Sequence, residues 1–301
     1  MTADDRRAGL LLAMPLVFVL IWSTGFIAAR YGMPHAPPLG FLSWRYALSA
    51  LVFTAWIRLS GAAWPAERRQ WLHLAVVGVG VHAGYLGGVW VAVKDGMGAG
   101  TVALIVGLQP VLTALWVSAV GGERRLTPRQ WLGLALGLAG LLLVVWRKLG
   151  LGEVTGANLA PAALALLAIT AGTLYQKRFV KPCDVRTANT VQLLAALAVT
   201  LPLAMFERGR FDLHPELIGA MAWSVLVLTL GGSSLLYLLI QRGAATAVTS
   251  LLYLVPPSTA VMAWLLFGEQ LTAPVLTGLA LTAVGVWLVV RAPLLQPREI
   301  S

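Results

Sequence analysis

Ten stretches of predominantly apolar residues alternate with short polar loops along the chain. Each is about 20 residues long, the length a helix needs to cross a bilayer core. They run over residues 10–29, 39–58, 71–93, 98–119, 128–147, 159–177, 187–206, 217–240, 245–267 and 273–291. The first follows Arg6 and Arg7, as a secretion signal would. Its apolar run continues past Ile21 without a small-residue cleavage site, so it reads as a span. The pattern predicts an all-α membrane protein with ten transmembrane helices.

The spans are not independent. The stretch from Gly98 to Pro128 recurs from Ala244 to Pro274, with Pro256 standing for Pro110, Glu269 for Glu123 and Pro274 for Pro128. The differences 256 − 110 and 269 − 123 both give 146, and a constant offset marks one unit written twice. The chain divides into a five-span repeat over residues 1–148, a connecting loop over 149–158 and a second five-span repeat over 159–301. Five is odd, so the second repeat enters the membrane from the opposite side. Glu123 is then expected inside and Glu269 outside. Inverted repeats of this kind serve transporters that alternate around a midplane site.

Composition supports the membrane reading. Only 11% of the 301 residues are charged and 58% are hydrophobic, against roughly 25% charged in a soluble domain. The net charge of +10 comes from Lys and Arg scattered over many short loops. That distribution suits anionic lipid and excludes a nucleic-acid surface. With the N-terminus inside, 15 Lys and Arg fall on inner loops and 6 on outer ones, with Arg45 within a span. The positive-inside rule therefore places both termini in the cytoplasm. The single cysteine, Cys183, has no partner for an intrachain disulfide.

The chemistry is defined first by what the spans lack. None of the twelve acidic residues is mid-span, and there is no phosphate-binding glycine loop. Intramembrane enzymes and ion-coupled pumps use buried carboxylates or metal ligands. The sequence thus implies no enzyme, no metal and no cofactor. Arg45 lies about two turns into the second span, where an unpaired charge is costly. It suits a substrate carboxylate, a snorkelling contact with the surface, or a neighbouring helix carbonyl. His82 is mid-span, as a packing donor or a ligand, and Tyr85 shares its helix face. Gln192 falls opposite Arg45 in the second repeat. Trp22, Tyr175 and Tyr253 are further in-span aromatics, and a buried tyrosine needs a partner for its hydroxyl. Lys94 and Asp95 read as a local ion pair. Pro110, Pro256 and Pro257 interrupt two matching spans, as static kinks or as hinges. Gln109, Ser258 and Thr259 are candidates to satisfy the freed carbonyls. Glycines at helical spacing, Gly84 and Gly88, Gly133, Gly137 and Gly140, and Gly278 and Gly285, allow close helix approach or, in the fifth span, a dimer face.

The motifs W-S-T-G-F at 22–26 and L-G-F-L-S-W-R-Y at 39–46, with the twin P-x12-E elements, resemble the EamA-type branch of the drug/metabolite transporter superfamily. The resemblance covers nearly the whole chain. It implies a ten-span, inverted-repeat carrier with a central cavity, and many members export amino acids and other metabolites. Exporters of aromatic amino acids are one subgroup, which no motif here singles out. The expected function is secondary export of small amphipathic metabolites, amino acids foremost. Substrate contacts are expected from Trp22, Arg45, His82, Tyr85, Tyr175, Gln192 and Tyr253, with hinges at Pro110, Pro256 and Pro257. The expected partners are a small-molecule substrate and the lipid bilayer, with no nucleic acid and the oligomeric state open. The rival readings are an importer of a carboxylate or nucleotide-like solute, a membrane-embedded lipid enzyme, and a non-transporting subunit.

Overall fold

The computed structural model describes residues 3–120, 127–232, 235 and 254–291. Among the described residues there is no strand, and the helical pieces join into ten segments. These are α1 (Ala3–Gly32), α2 (Pro38–Ser60), α3 (Arg68–Lys94), α4 (Ala99–Ala119), α5 (Pro128–Gly150), α6 (Gly156–Phe179), α7 (Val185–Ala204), α8 (Pro215–Gly232), α9 (Val255–Phe267) and α10 (Ala273–Arg291). Seven of them, α3 to α8 and α10, are long and apolar enough to cross a membrane. Val17–Gly32 of α1 and Val255–Phe267 of α9 are shorter apolar helices, and α2, which carries Arg45, is not among the seven. Large apolar side chains such as Leu51, Trp146 and Leu265 stand exposed, as lipid-facing positions require.

Local chemistry sets the helix boundaries. Thr127 and Gln130 form a reciprocal capping box at the start of α5, with Pro128 in the first turn. Thr155 and Asn158 do the same for α6. Each pair satisfies two backbone N–H groups that have no partner inside the helix. α2 ends at Gly61 and α9 at Gly268, both in the left-handed region at φ near +65° that glycine adopts freely.

Between helices, glycine sets the distance. A Cβ on Gly133 would lie 2.5 Å from the Gly285 carbonyl oxygen, and one on Gly140 would overlap the carbonyl of Gly278. As numbers rise along α5 they fall along α10, so the two pack antiparallel, with backbones almost in contact. Gly133 and Gly140 thus serve α10 of the same chain rather than a dimer. The same logic joins α3 to α6, where Gly84 meets Ala168 and Gly88 meets the Pro161 carbonyl. Without a hydrophobic driving force between helices in lipid, such close packing is what holds them together.

Three helices depart from α geometry. α3 widens to a π-helix over Gly78–Leu86 and α8 over Trp223–Gly232. In α4 the α-helical pieces Ala99–Val106 and Gln109–Val120 are separated at Gly107 and Leu108. There Leu108 N–H bonds the Ile105 carbonyl three residues back, and Pro110 has no N–H to offer. Pro256 packs directly on Gly107, where a Cβ would come within 2.5 Å of its ring. Pro256 and Pro257 open the described part of α9, Val255–Phe267. Gln109 bonds the Thr173 hydroxyl and Thr259 the Ser23 carbonyl. Those side chains therefore join helices instead of satisfying carbonyls freed by their own prolines.

Candidate functional site

α1, α2, α3 and α8 enclose a cavity of about 580 Å³, its open mouth included. α1 contributes Trp22, Gly25 and Phe26, α2 contributes Arg45, and α8 contributes Leu228 and Thr229. α3 supplies the rest, including His82, Tyr85 and Trp90. Both π-helical segments border it, an arrangement common at functional sites.

Arg45 is 6% exposed and does not reach the surface. Its Nε and Nη2 donate to Thr229 Oγ1 at 3.3 and 3.2 Å, and its guanidinium carbon lies 5.5 Å from the Trp90 ring centre. Among the described residues its buried Nη1 finds no hydrogen-bond partner. The Thr229 hydroxyl spends its own proton on the Ser224 carbonyl at 2.8 Å. Its lone pairs therefore face the guanidinium and fix it. Tyr46 donates to the His82 carbonyl at 2.8 Å and stacks edge-on against the His82 ring. Among the described residues no carboxylate lines the cavity.

Four of the seven expected contact residues, Trp22, Arg45, His82 and Tyr85, therefore share one wall. Gln192 is not in the lining, and its backbone lies close against Gly78. Tyr175 is a correction. Its hydroxyl pairs with His73 Nδ1 at 2.9 Å and its ring packs on Phe179, so its polar end is satisfied away from the cavity. Tyr253 and Glu123 lie outside the described residues. Lys94 is a second correction, since its ammonium donates to the Met33 carbonyl at 2.6 Å and forms no ion pair with Asp95. Thr229 and Phe26 were not legible as site residues. A hydroxyl or a phenyl ring in an apolar span carries no signal until the fold shows what it faces.

The EamA-like transporter family matches residues 7–146 and again 159–291. The chain belongs to that family. It is a membrane transporter, not an enzyme. Among its relatives, an uncharacterized inner membrane transporter of Escherichia coli, YedA, is 27% identical over 84% of this chain and 81% of its own. A probable amino-acid metabolite efflux pump of Salmonella typhimurium is 24% identical over 94% of this chain and 95% of its own. A solved crystal structure shares the fold with a TM-score of 0.64 at 18% identity, covering 93% of this chain and 97% of that one.

Proposed function

We propose that this transporter is a secondary carrier of the inner membrane that exports small amphipathic metabolites, amino acids and their derivatives among them, by alternating access around the cavity. The observation that carries the reading is the cavity itself: an apolar and aromatic lining with a buried guanidinium, that of Arg45, whose Nη1 has no partner among the described residues. That lining suits a solute with an apolar body and a polar, carboxylate-bearing end. The printed name of the Salmonella relative points the same way.

The alternating mechanism rests on ten spans forming two inverted repeats, over 1–148 and 159–301, with both termini cytoplasmic. Two features favour it beyond the sequence offset. Moved by 146 residues, the π-helical stretch 78–86 becomes 224–232 and falls within the second one, Trp223–Gly232. Gln70 binds the backbone of Lys181 through both ends of its amide, and Glu216 binds His35 at 3.1 Å. Moved by 146, positions 70 and 181 correspond to 216 and 35, with the partners exchanged between halves as a two-fold axis in the membrane would require.

Two experiments test this. Proteoliposomes loaded with labelled phenylalanine, leucine and apolar carboxylates should show saturable efflux beyond protein-free vesicles for at least one solute; no such efflux across the panel would refute the carrier. In a Cys183→Ala background, single cysteines at Glu123 and Glu269 should label from opposite sides, and labelling from one side would refute the inverted repeat.

A further inference from the structure

Arg45 is a fixed positive charge, because a guanidinium does not lose its proton at any working pH. It is also without a counter-ion. Each described acidic side chain lies outside the cavity lining, and most are bonded elsewhere. Glu67 pairs with Lys181, Glu153 with Lys148 and Asp184 with Arg186. Glu207 and Glu269 accept backbone N–H groups at the starts of α2 and α4. Asp212 and Glu216 hold His35, and Asp95 follows the outer end of α3. The other four, Asp4, Asp5, Glu123 and Glu299, all lie outside the middle of the spans.

The carbonyls of His82 and Ser224, in the two π-helical segments, already accept from Tyr46 and Thr229. The Trp90 face, the natural seat for a cation, is occupied by Arg45. The site thus offers a carboxylate a fixed, partly unpaired guanidinium in a low-dielectric setting. An ammonium entering the same space meets repulsion from Arg45 and no acid.

We propose that the cavity selects by net charge, preferring small organic monocarboxylates with an apolar or aromatic body and no free ammonium over the parent zwitterionic amino acids, and rejecting amines. Such solutes are 2-oxo acids, N-acylated amino acids and arylalkanoates. This rests on the cavity being the solute site, the reading given above. Arg45 supplies the selection, and Thr229 holds its guanidinium in place.

Three probes share a phenyl ring on a two-carbon chain and differ in charge: 3-phenylpropionate, phenylalanine and 2-phenylethylamine. Binding to the purified full-length carrier in detergent is measured by equilibrium dialysis. Phenylpropionate should bind about tenfold or more tighter than phenylalanine, and phenylethylamine more weakly than either. Arg45→Gln should weaken phenylpropionate about thirtyfold and erase its lead, while its melting temperature stays at or above wild type, since an unpaired buried charge has been removed. Arg45→Lys should keep part of the preference, having the charge without the planar fork. Phenylalanine binding as tightly as phenylpropionate would overturn charge selection and leave the carrier standing. Equal phenylpropionate affinity in wild type and a folded Arg45→Gln would overturn the role of Arg45. Failure of all three probes to bind the folded protein at millimolar concentration would overturn both the selection and the cavity as solute site.

Discussion

The α5–α10 contact gives the sharpest stability prediction, because three glycines on one helix face different surroundings. A Cβ at Gly140 would overlap the Gly278 carbonyl and crowd Thr282 Oγ1 at 2.6 Å. One at Gly133 would meet the Gly285 carbonyl at 2.5 Å. One at Gly137 would sit 3.4 Å from Leu108 and 3.6 Å from Val111, in ordinary contact with flexible side chains. An alanine at 133 or 140 must push the helices apart by about 1 Å to restore normal contact. Overpacking of this kind costs about 1–3 kcal/mol, and helix propensity returns about 0.5–1 kcal/mol for glycine to alanine. The net expectation is a loss of up to about 2.5 kcal/mol for Gly133→Ala and Gly140→Ala. Gly137→Ala, with the propensity gain and no clash, should be neutral or more stable by up to about 1 kcal/mol. Gly285→Ala should resemble the first pair, since its Cβ would lie 2.5 Å from the Gly137 nitrogen. The assay is reversible unfolding of the purified protein in mixed micelles, followed by tryptophan fluorescence. Gly137→Ala destabilising as much as Gly140→Ala would refute the packing argument, because propensity alone makes no distinction among the three.

Three further predictions follow from other parts of the molecule. Hydrogen bonding from Arg186, aided by the backbone at the start of α7, holds the Asp184 carboxyl below the usual aspartate value; a depressed folded value stabilises above the unfolded pKa, near 3.9, and is lost as pH falls through the lower folded one. Asp184→Asn should therefore melt lower at pH 7 by less than about 1 kcal/mol, with the gap closing below about pH 4, and a gap unchanged at pH 3 would contradict the assignment. Pro110→Ala restores a donor beside the break at Gly107 and Leu108 and should slow efflux several-fold with little change in melting; wild-type turnover would count against a hinge. Since the sequence holds no mid-span acid, efflux should run down the solute gradient alone, and accumulation against that gradient driven by imposed pH or sodium would refute it.

Much of this was legible in the sequence because a membrane makes polar residues conspicuous. Trp22, Arg45, His82 and Tyr85 stood out against apolar spans, and the fold brings them to one wall. Thr127 and Pro128 have the chemistry of a helix start, and α5 begins there. The misreadings share a cause. Tyr175 is expected at the cavity as an in-span aromatic, but nothing in the sequence says that His73, 102 residues away, pairs with its hydroxyl. Lys94 beside Asp95 suggested a local pair, yet the side chain reaches a carbonyl 61 residues back. Nor does any periodicity distinguish a π-helical stretch such as Gly78–Leu86 from ordinary helix, since its apolar residues fill every side. Local rules read local geometry, and the partners here are set by tertiary approach.

The acidic residues show how much that approach organises. α2 and α4 begin without a side-chain cap of their own, at Pro37 and Gly98. Their free N–H groups are taken instead by acids from distant loops. Glu207 accepts from Leu39 and Gly40 at 3.0 and 2.9 Å. Glu153 accepts from Gly98 at 3.1 Å, and Glu269 from Ala99 and Gly100 at 2.8 and 3.4 Å. The segments after α1, α3, α5, α7 and α9 thus bind one another. The segments after α2 and α6 make a separate set, Glu67 with Lys181, and Ser60 with Arg186. Contacts that sort by odd and even helix number are what consecutive crossings of a membrane produce. Alternating access would then require the odd-numbered face to release Glu153 and Glu269 from the start of α4. Helix-end N–H groups can donate to water instead, whereas a buried ion pair broken open would leave charges stranded. A clamp of acids on helix ends can hold that face shut without making its opening prohibitive.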